Sequence, residues 1–283
     1  MTLYNEFYKE LQSYWITEQP KKVLEILEEG LKRFPRHLAE LLFEGIMACI
    51  ELNLTDDALK LMKQADENDL WYPEELFPEA EMYQPYLKKW SAKRGAVGSA
   101  ALEVGNDSGE NMLALHGWGE DLHLFRRYFY SDDYEKRARI HYLQSSQRIG
   151  SVQYVWDNRK QAESDIIHYL NEVFKSSEVN CLSGFSQGGY LALDLVLKKR
   201  VFVENLVLLC PGEAEYTIDD MRTLSENKIS VLLITGSTDH DHAYHTKLND
   251  LLKEAGVYVD FQVVEGMGHW FPDDLDSRID AFL

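Results

Sequence analysis

From Met112 onward the chain carries six short runs that are apolar on both faces: "MLALHG", "ARIHYLQ", "VNCLSG", "VENLVLLCPG", "ISVLLITG" and "VYVDFQVVEG". Each ends in glycine or polar residues, and stretches of helical spacing separate them. A strand with apolar side chains above and below must be covered on both sides, and parallel neighbours need crossover connections long enough to hold a helix. The pattern therefore predicts a doubly wound, mainly parallel α/β sheet. In such a sheet ligands sit beyond the carboxyl ends of the strands, so the residues that follow each run are the first place to look for chemistry.

The first part of the chain has a different period. From Tyr4 to about Gln84 apolar residues recur at helical spacing, as in Val23, Leu24, Ile26, Leu27 and Leu31, then Leu38, Leu41, Leu42, Ile46 and Ile50. Breaks fall at Glu18-Gln19-Pro20, Phe34-Pro35-Arg36 and Asn53-Leu54-Thr55-Asp56, with Thr55 or Asp56 placed to cap the next helix. About four short helices in hairpins follow from this. Between Trp71 and Gly105 the periodicity fades around Pro73, Pro78 and Pro85. The expected division is a helical region over 1–90 and an α/β domain over 91–283.

Charge narrows the partners. With 48 acidic against 29 basic residues the formal net charge is -19, the wrong sign for nucleic acid or an anionic membrane, whose binding depends on Lys and Arg. The stretch "MTLYNEFYKELQSYW" lacks the continuous apolar core of a signal peptide, and no run approaches the roughly 20 apolar residues of a membrane span. Cys49, Cys181 and Cys210 have no CxxC spacing and sit in apolar segments. They read as buried, reduced thiols, and the expected location is cytoplasmic.

Four strand ends carry pointed residues. Gly184-Phe185-Ser186-Gln187-Gly188 follows an apolar run and precedes the helically spaced "YLALDLVLKK", which is the strand-turn-helix context of a nucleophile elbow. A serine hydroxyl needs a base and the base an orienting carboxylate. Asp239 closes "ISVLLITGSTD" and His269 follows "VYVDFQVVEG", in the order nucleophile, acid, base. Upstream, His116-Gly117-Trp118-Gly119 is a glycine-flanked turn whose Trp118 N–H, with that of Gln187, can hold an oxyanion. Gly117, Phe185 and Trp270 are candidate substrate-binding residues, with Trp118 a further apolar wall.

These motifs together resemble the α/β-hydrolase serine esterases, and within them the phospholipase/carboxylesterase group that includes acyl-protein thioesterases. "LHGWGED" is similar to the group's oxyanion loop, "GFSQGG" to its elbow, "GSTD" to its acid and "GMGHW" to its histidine, while "LQSSQ" and "VWD" resemble elements at the sheet top. The likeness spans about 102–283 and implies a Ser186-His269-Asp239 triad acting on carboxylic esters or thioesters without a cofactor. It also implies a structural part for His116. Residues 1–90 are foreign to the simple thioesterases. There "QPKKVLEILEEGLKRFP" and "LTDDALKLMKQADEN" align with Lys22 on Asp57, an offset of about 35 residues, which resembles the period of about 34 in tetratricopeptide repeats.

Other readings stand beside this one. Asp241 and Glu213 are rival acids. Ser145 and Ser146 lack elbow glycines and read as site-lining or structural. His240, His242 and His245 beside Asp239 and Asp241 offer ligand types that suit a metal, but H-E-x-x-H spacing is absent, so the stretch reads as a solvated loop and no metal is expected. A scaffold whose helices recruit a protein partner, or a peptidase of the same fold, are the alternative functions.

Overall fold

The computed structural model describes residues 3–106, 110–129, 136, 138–176 and 178–283. They fall into two compact units, Met1–Gly95 with Arg148–Gln153, and Ala96–Gln147 with Tyr154–Leu283.

The first unit is helical: α1 (Leu3–Ile16), α2 (Pro20–Arg33), α3 (Leu38–Glu51), α4 (Thr55–Glu67) and α5 (Gln84–Ser91). Proline opens α2 at its first position, where its missing N–H costs nothing. Neither Thr55 nor Asp56 caps α4; the cap position is Leu54, and Thr55 is already inside the helix. Leu42, Ile46, Met62, Trp71, Tyr72 and Trp90 form the core. Glu44 on α3 is buried among α1 side chains: Tyr8 Oη and Gln12 Nε2 donate to its Oε1 at 2.6 and 3.0 Å, and Trp15 Nε1 donates to Oε2 at 2.6 Å. Burial pushes its carboxyl pKa up, and the three donors oppose that rise. The 148–153 segment joins this unit through Ser151, whose hydroxyl accepts the Trp71 N–H and whose N–H donates to the Trp71 carbonyl, both at 2.8 Å.

The second unit is built on a seven-stranded sheet: β1 (Ala100–Gly105), β2 (Glu110–Leu115), β3 (Ala138–Gln144), β4 (Glu178–Phe185), β5 (Phe202–Leu209), β6 (Ser230–Gly236) and β7 (Tyr258–Val264). The order is β7-β6-β5-β4-β2-β3-β1, parallel except for the edge strand β1, which pairs antiparallel with β3. This is the α/β-hydrolase arrangement. Strand alternation sorts the core into two layers. Leu113, Leu115, Leu206, Leu208, Val231 and Leu233 face α7 (Arg159–Val173), α8 (Gln187–Leu197), α9 (Ile218–Glu226) and α10 (His242–Glu254). Met112, Ala114, Val207, Leu209, Leu232 and Ile234 face α6 (Leu122–Tyr128) and α11 (Leu275–Phe282). Each layer buries enough apolar surface to fix strand register, since a one-residue slip would exchange the two faces. The chain steps outward from β2 to β3 and then returns past β2 to β4, so the strand order reverses between β2 and β4. Crevices for ligands open at such switch points.

Cys49, Cys181 and Cys210 are free and buried. Among the described residues no helix is long and apolar enough to cross a membrane.

Candidate functional site

β4 delivers the chain to Ser186, which has φ 51° and ψ -117°. A non-glycine residue held at such angles costs about 1–3 kcal/mol, so its surroundings must over-determine it. They do: Ser186 N–H donates to Leu209 O at 2.9 Å, and its carbonyl accepts from Gly212 and Tyr190 N–H at 2.9 and 3.0 Å. The glycines on either side are required by close approach. A Cβ on Gly184 would lie 2.4 Å from the Gly188 carbonyl group, and one on Gly188 would lie 2.3 Å from Leu115 O. The turn therefore packs backbone on backbone and leaves Ser186 at the head of α8.

The ends of β6 and β7 bring Asp239 and His269 to it. His269 Nε2 lies 2.9 Å from Ser186 Oγ, and His269 Nδ1 lies 3.1 Å from each Asp239 oxygen. With Nδ1–H donating to the carboxylate, the Nε2 lone pair is left to accept the serine proton. Burial by itself would raise the Asp239 pKa. The Asp241 N–H at 2.9 Å, the Cys210 thiol and His269 outweigh burial and hold it below the usual carboxylate value. Gly236 explains why the two loops meet: a Cβ there would lie 2.0 Å from Met267 O, so only glycine lets the histidine loop pass. Ser237 and Thr238 N–H groups fasten that passage by donating to Val264 O and Met267 O at 2.9 and 3.0 Å.

The turn after β2 is tied down on three sides. Gly119 N–H donates to Tyr154 O at 2.9 Å, Trp156 Nε1 donates to His116 O at 3.0 Å, and Gly117 N–H donates to Glu120 Oε2 at 2.6 Å. Among the described residues the N–H groups of Trp118 and Gln187 have no protein acceptor, as two oxyanion donors require. Glu120 is buried, and burial pushes its carboxyl pKa up to about 8 against the opposing pull of the Gly117 N–H. His116 is fully buried with both ring nitrogens engaged, Nδ1–H donating to Gly117 O at 2.7 Å and Nε2 accepting Ser145 N–H at 3.2 Å. Burial lowers its pKa to about 4, so the ring is neutral and serves as a brace.

Of the other candidates, Asp241 directs its carboxylate toward His240, with Oδ2 3.4 Å from Nε2, and reaches the site through its N–H. Glu213 makes no hydrogen bond to His269 among the described residues. Ser145 and Ser146 are buried, Ser145 Oγ accepting Gln147 N–H at 3.0 Å and Ser146 N–H donating to Asp165 at 3.0 Å. Phe185 lies in the core, its ring 4.3 Å from Phe271 and 5.2 Å from His269, and Trp270 packs edge-on against Tyr128. Trp118 is half-buried, and Gly117 is buried against Phe185.

The reading of "DHDHAYH" as one solvated loop needs correction. His240 is exposed, but His242 opens α10 and His245 is fully buried, with Nε2–H donating to Pro211 O at 2.9 Å and Nδ1 2.7 Å from Thr235 Oγ1. The physical reason is helical periodicity: His245, Leu248, Asn249 and Leu252 share the inward stripe of α10. Asp239, His240, Asp241 and His269 each offer one potential ligand atom, all within 4.8 Å of one another.

Sequence reasoning missed Glu120, Cys210, His245 and the side chain of Gln187. His245 alone carried a usable signal, the i, i+3, i+7 spacing with Leu248 and Leu252.

The sequence matches no protein-family model and no curated protein. Solved structures do match. An uncharacterized protein from Bacillus cereus ATCC 10987 aligns over 99% of this chain and 97% of its own, with a TM-score of 0.55 and 20% identity. Esterase PE8 aligns over 66% of this chain and 100% of its own, with a TM-score of 0.51 and 20% identity. At these identities the shared property is the α/β-hydrolase fold.

Proposed function

We propose that the chain is a serine hydrolase that cleaves carboxylic esters or thioesters, similar in its motifs to the phospholipase/carboxylesterase group. The observation that carries the reading is the continuous Ser186 Oγ, His269 Nε2, His269 Nδ1, Asp239 contact series on a strained turn. A positive φ alone is shared by residues such as Asn53 and Lys228; the pairing of φ 51° with ψ -117° at a strand-to-helix turn is what a nucleophile that must project from a strand end requires. The matching fold of a protein named as an esterase adds support.

In this reading Ser186 Oγ attacks the acyl carbonyl as its proton passes to His269 Nε2. Asp239, kept ionised by its donors, stabilises the imidazolium. Trp118 and Gln187 N–H groups receive the developing oxyanion. His269 then protonates the leaving group, and water activated by the same nitrogen releases the acid and restores Ser186. No cofactor enters these steps. The substrate is a small molecule or an acyl ester, and the helices of the first unit form a tetratricopeptide-like module.

The test is a fluorophosphonate probe together with a short p-nitrophenyl ester. Wild type is expected to label and turn over, and Ser186→Ala to do neither. Folded wild type that is inert to both reagents overturns the proposal.

A further inference from the structure

Beside the triad, one imidazole is not used by the mechanism. His240 follows Asp239 directly, its side chain is 70% exposed, and its ring lies 4.7 Å from that of His269 at an interplanar angle of 36°. His240 Nδ1 is 3.6 Å from Asp239 Oδ1, the same oxygen that His269 Nδ1 approaches at 3.1 Å. Its Nε2 is 3.4 Å from Asp241 Oδ2. Two imidazoles and two carboxylates therefore converge, and one of those imidazoles is largely open to solvent.

These separations have a chemical meaning. A tetrahedral Zn2+ with bonds of about 2.0–2.1 Å to nitrogen and oxygen spaces its ligand atoms about 3.3–3.4 Å apart. The 3.1 and 3.6 Å approaches to Asp239 Oδ1 bracket that edge length, and one ligand atom from each of the four residues lies within 4.8 Å of the others. Mixed imidazole and carboxylate ligation suits Zn2+ or Cu2+, whereas Mg2+ and Ca2+ prefer oxygen alone.

We propose that Asp239, His240, Asp241 and His269 bind a borderline-soft divalent cation, Zn2+ foremost, and that this binding switches the site off reversibly. The inhibitory consequence rests on the triad reading; the binding does not. Coordination through His269 Nδ1 takes the lone pair on that nitrogen, so the single proton of the neutral ring moves through solvent to Nε2. That nitrogen faces Ser186 Oγ and, once protonated, cannot accept the serine proton. Asp239 is at the same time withdrawn from its hydrogen bond to the ring. Removal of the metal returns the proton to Nδ1 and restores the base.

The experiment titrates ZnCl2 into the full chain in chelator-free buffer, read by calorimetry and by ester turnover. One bound Zn2+ and inhibition reversed by EDTA are expected for wild type. His240→Gln is expected to weaken binding and raise the inhibitory midpoint by at least about tenfold, with turnover in the absence of metal unchanged. His242→Gln, whose ring is held at Gly236 O at 3.0 Å, is expected to behave as wild type, and MgCl2 at the same concentrations to do nothing. Wild type that binds no Zn2+, or His240→Gln that binds it as tightly as wild type, overturns the site. A chain that turns over no ester yet loses Zn2+ binding in His240→Gln sinks the hydrolase reading and leaves the cation site standing.

Discussion

Gln187 Oε1 accepts the main-chain N–H of Trp156 at 2.7 Å, while Gln187 Nε2 donates to Asp157 Oδ1 at 2.8 Å. The residue whose own N–H we propose as an oxyanion donor is thereby clamped by its side chain to the "VWD" segment. Gln187→Ala keeps the N–H but leaves Trp156 N–H without its acceptor, a loss of about 1–3 kcal/mol for a buried donor. A loosened donor should lower kcat by about tenfold with little change in KM, because the oxyanion forms only in the transition state. Steady-state kinetics with chemical denaturation checks both effects. Unchanged kcat would mean that the α8 amino terminus alone fixes the N–H.

Two adjacent acids compete for one role, and the geometry separates them. Asp239 approaches His269 Nδ1 with both oxygens at 3.1 Å, whereas Asp241 supplies Asp239 with an N–H that any residue at that position retains. Asp239→Asn is expected to reduce kcat/KM by about 10^3–10^4-fold. Asp241→Asn is expected to reduce it by less than about fivefold, since its side chain does not meet the imidazole. A larger loss for Asp241→Asn would reverse the assignment.

The contrast between these residues shows what the chain made legible. Ser186 and Asp239 each follow an apolar run whose strand is buried on both faces, whereas the run before His269 forms an edge strand, β7, in which no residue is fully buried. β1, the opposite edge strand, is largely exposed, and "AALEVG" carries no two-faced apolar signal. The Gln187 clamp, the Glu120 bond to Gly117 and the Cys210 thiol beside Asp239 arise from segments distant in sequence that meet only through the sheet order. No local periodicity encodes them. Thr55 illustrates a different failure, because a good capping residue one position inside the helix has nothing to cap.

Gly236 marks where the acid and histidine loops touch. A methyl group would sit 2.0 Å from Met267 O and 2.5 Å from Gly268 O, and a main-chain obstacle cannot rotate aside as a side chain can. Gly236→Ala is expected to cost about 3 kcal/mol or more and to lower activity beyond the loss of folded protein, because it pushes His269 from Asp239. Circular dichroism melts beside active-site titration with the fluorophosphonate probe separate the two losses. A variant as stable and active as wild type would show that the loops have slack.

Glu120 links the turn after β2 to pH. Its carboxyl pKa is raised from the ordinary 4.5 to about 8 by burial. Between those values the folded chain keeps a proton that the unfolded chain has released. Stability therefore falls as pH rises through this window and levels off above it. Buried His116, lowered to about 4, acts in the opposite direction below about pH 6.5, and it does so equally in wild type and in Glu120→Gln. The difference between the two proteins isolates Glu120. Wild type should be at its best relative to Glu120→Gln near pH 5 and should lose that advantage by pH 9, while the glutamine still offers an oxygen to Gly117 N–H. Urea midpoints at pH 5, 7 and 9 measure it. Parallel pH dependence in the two proteins would mean that Glu120 ionises in its pocket at little cost, and that the Gly117 N–H with local water stabilises the carboxylate far better than burial penalises it.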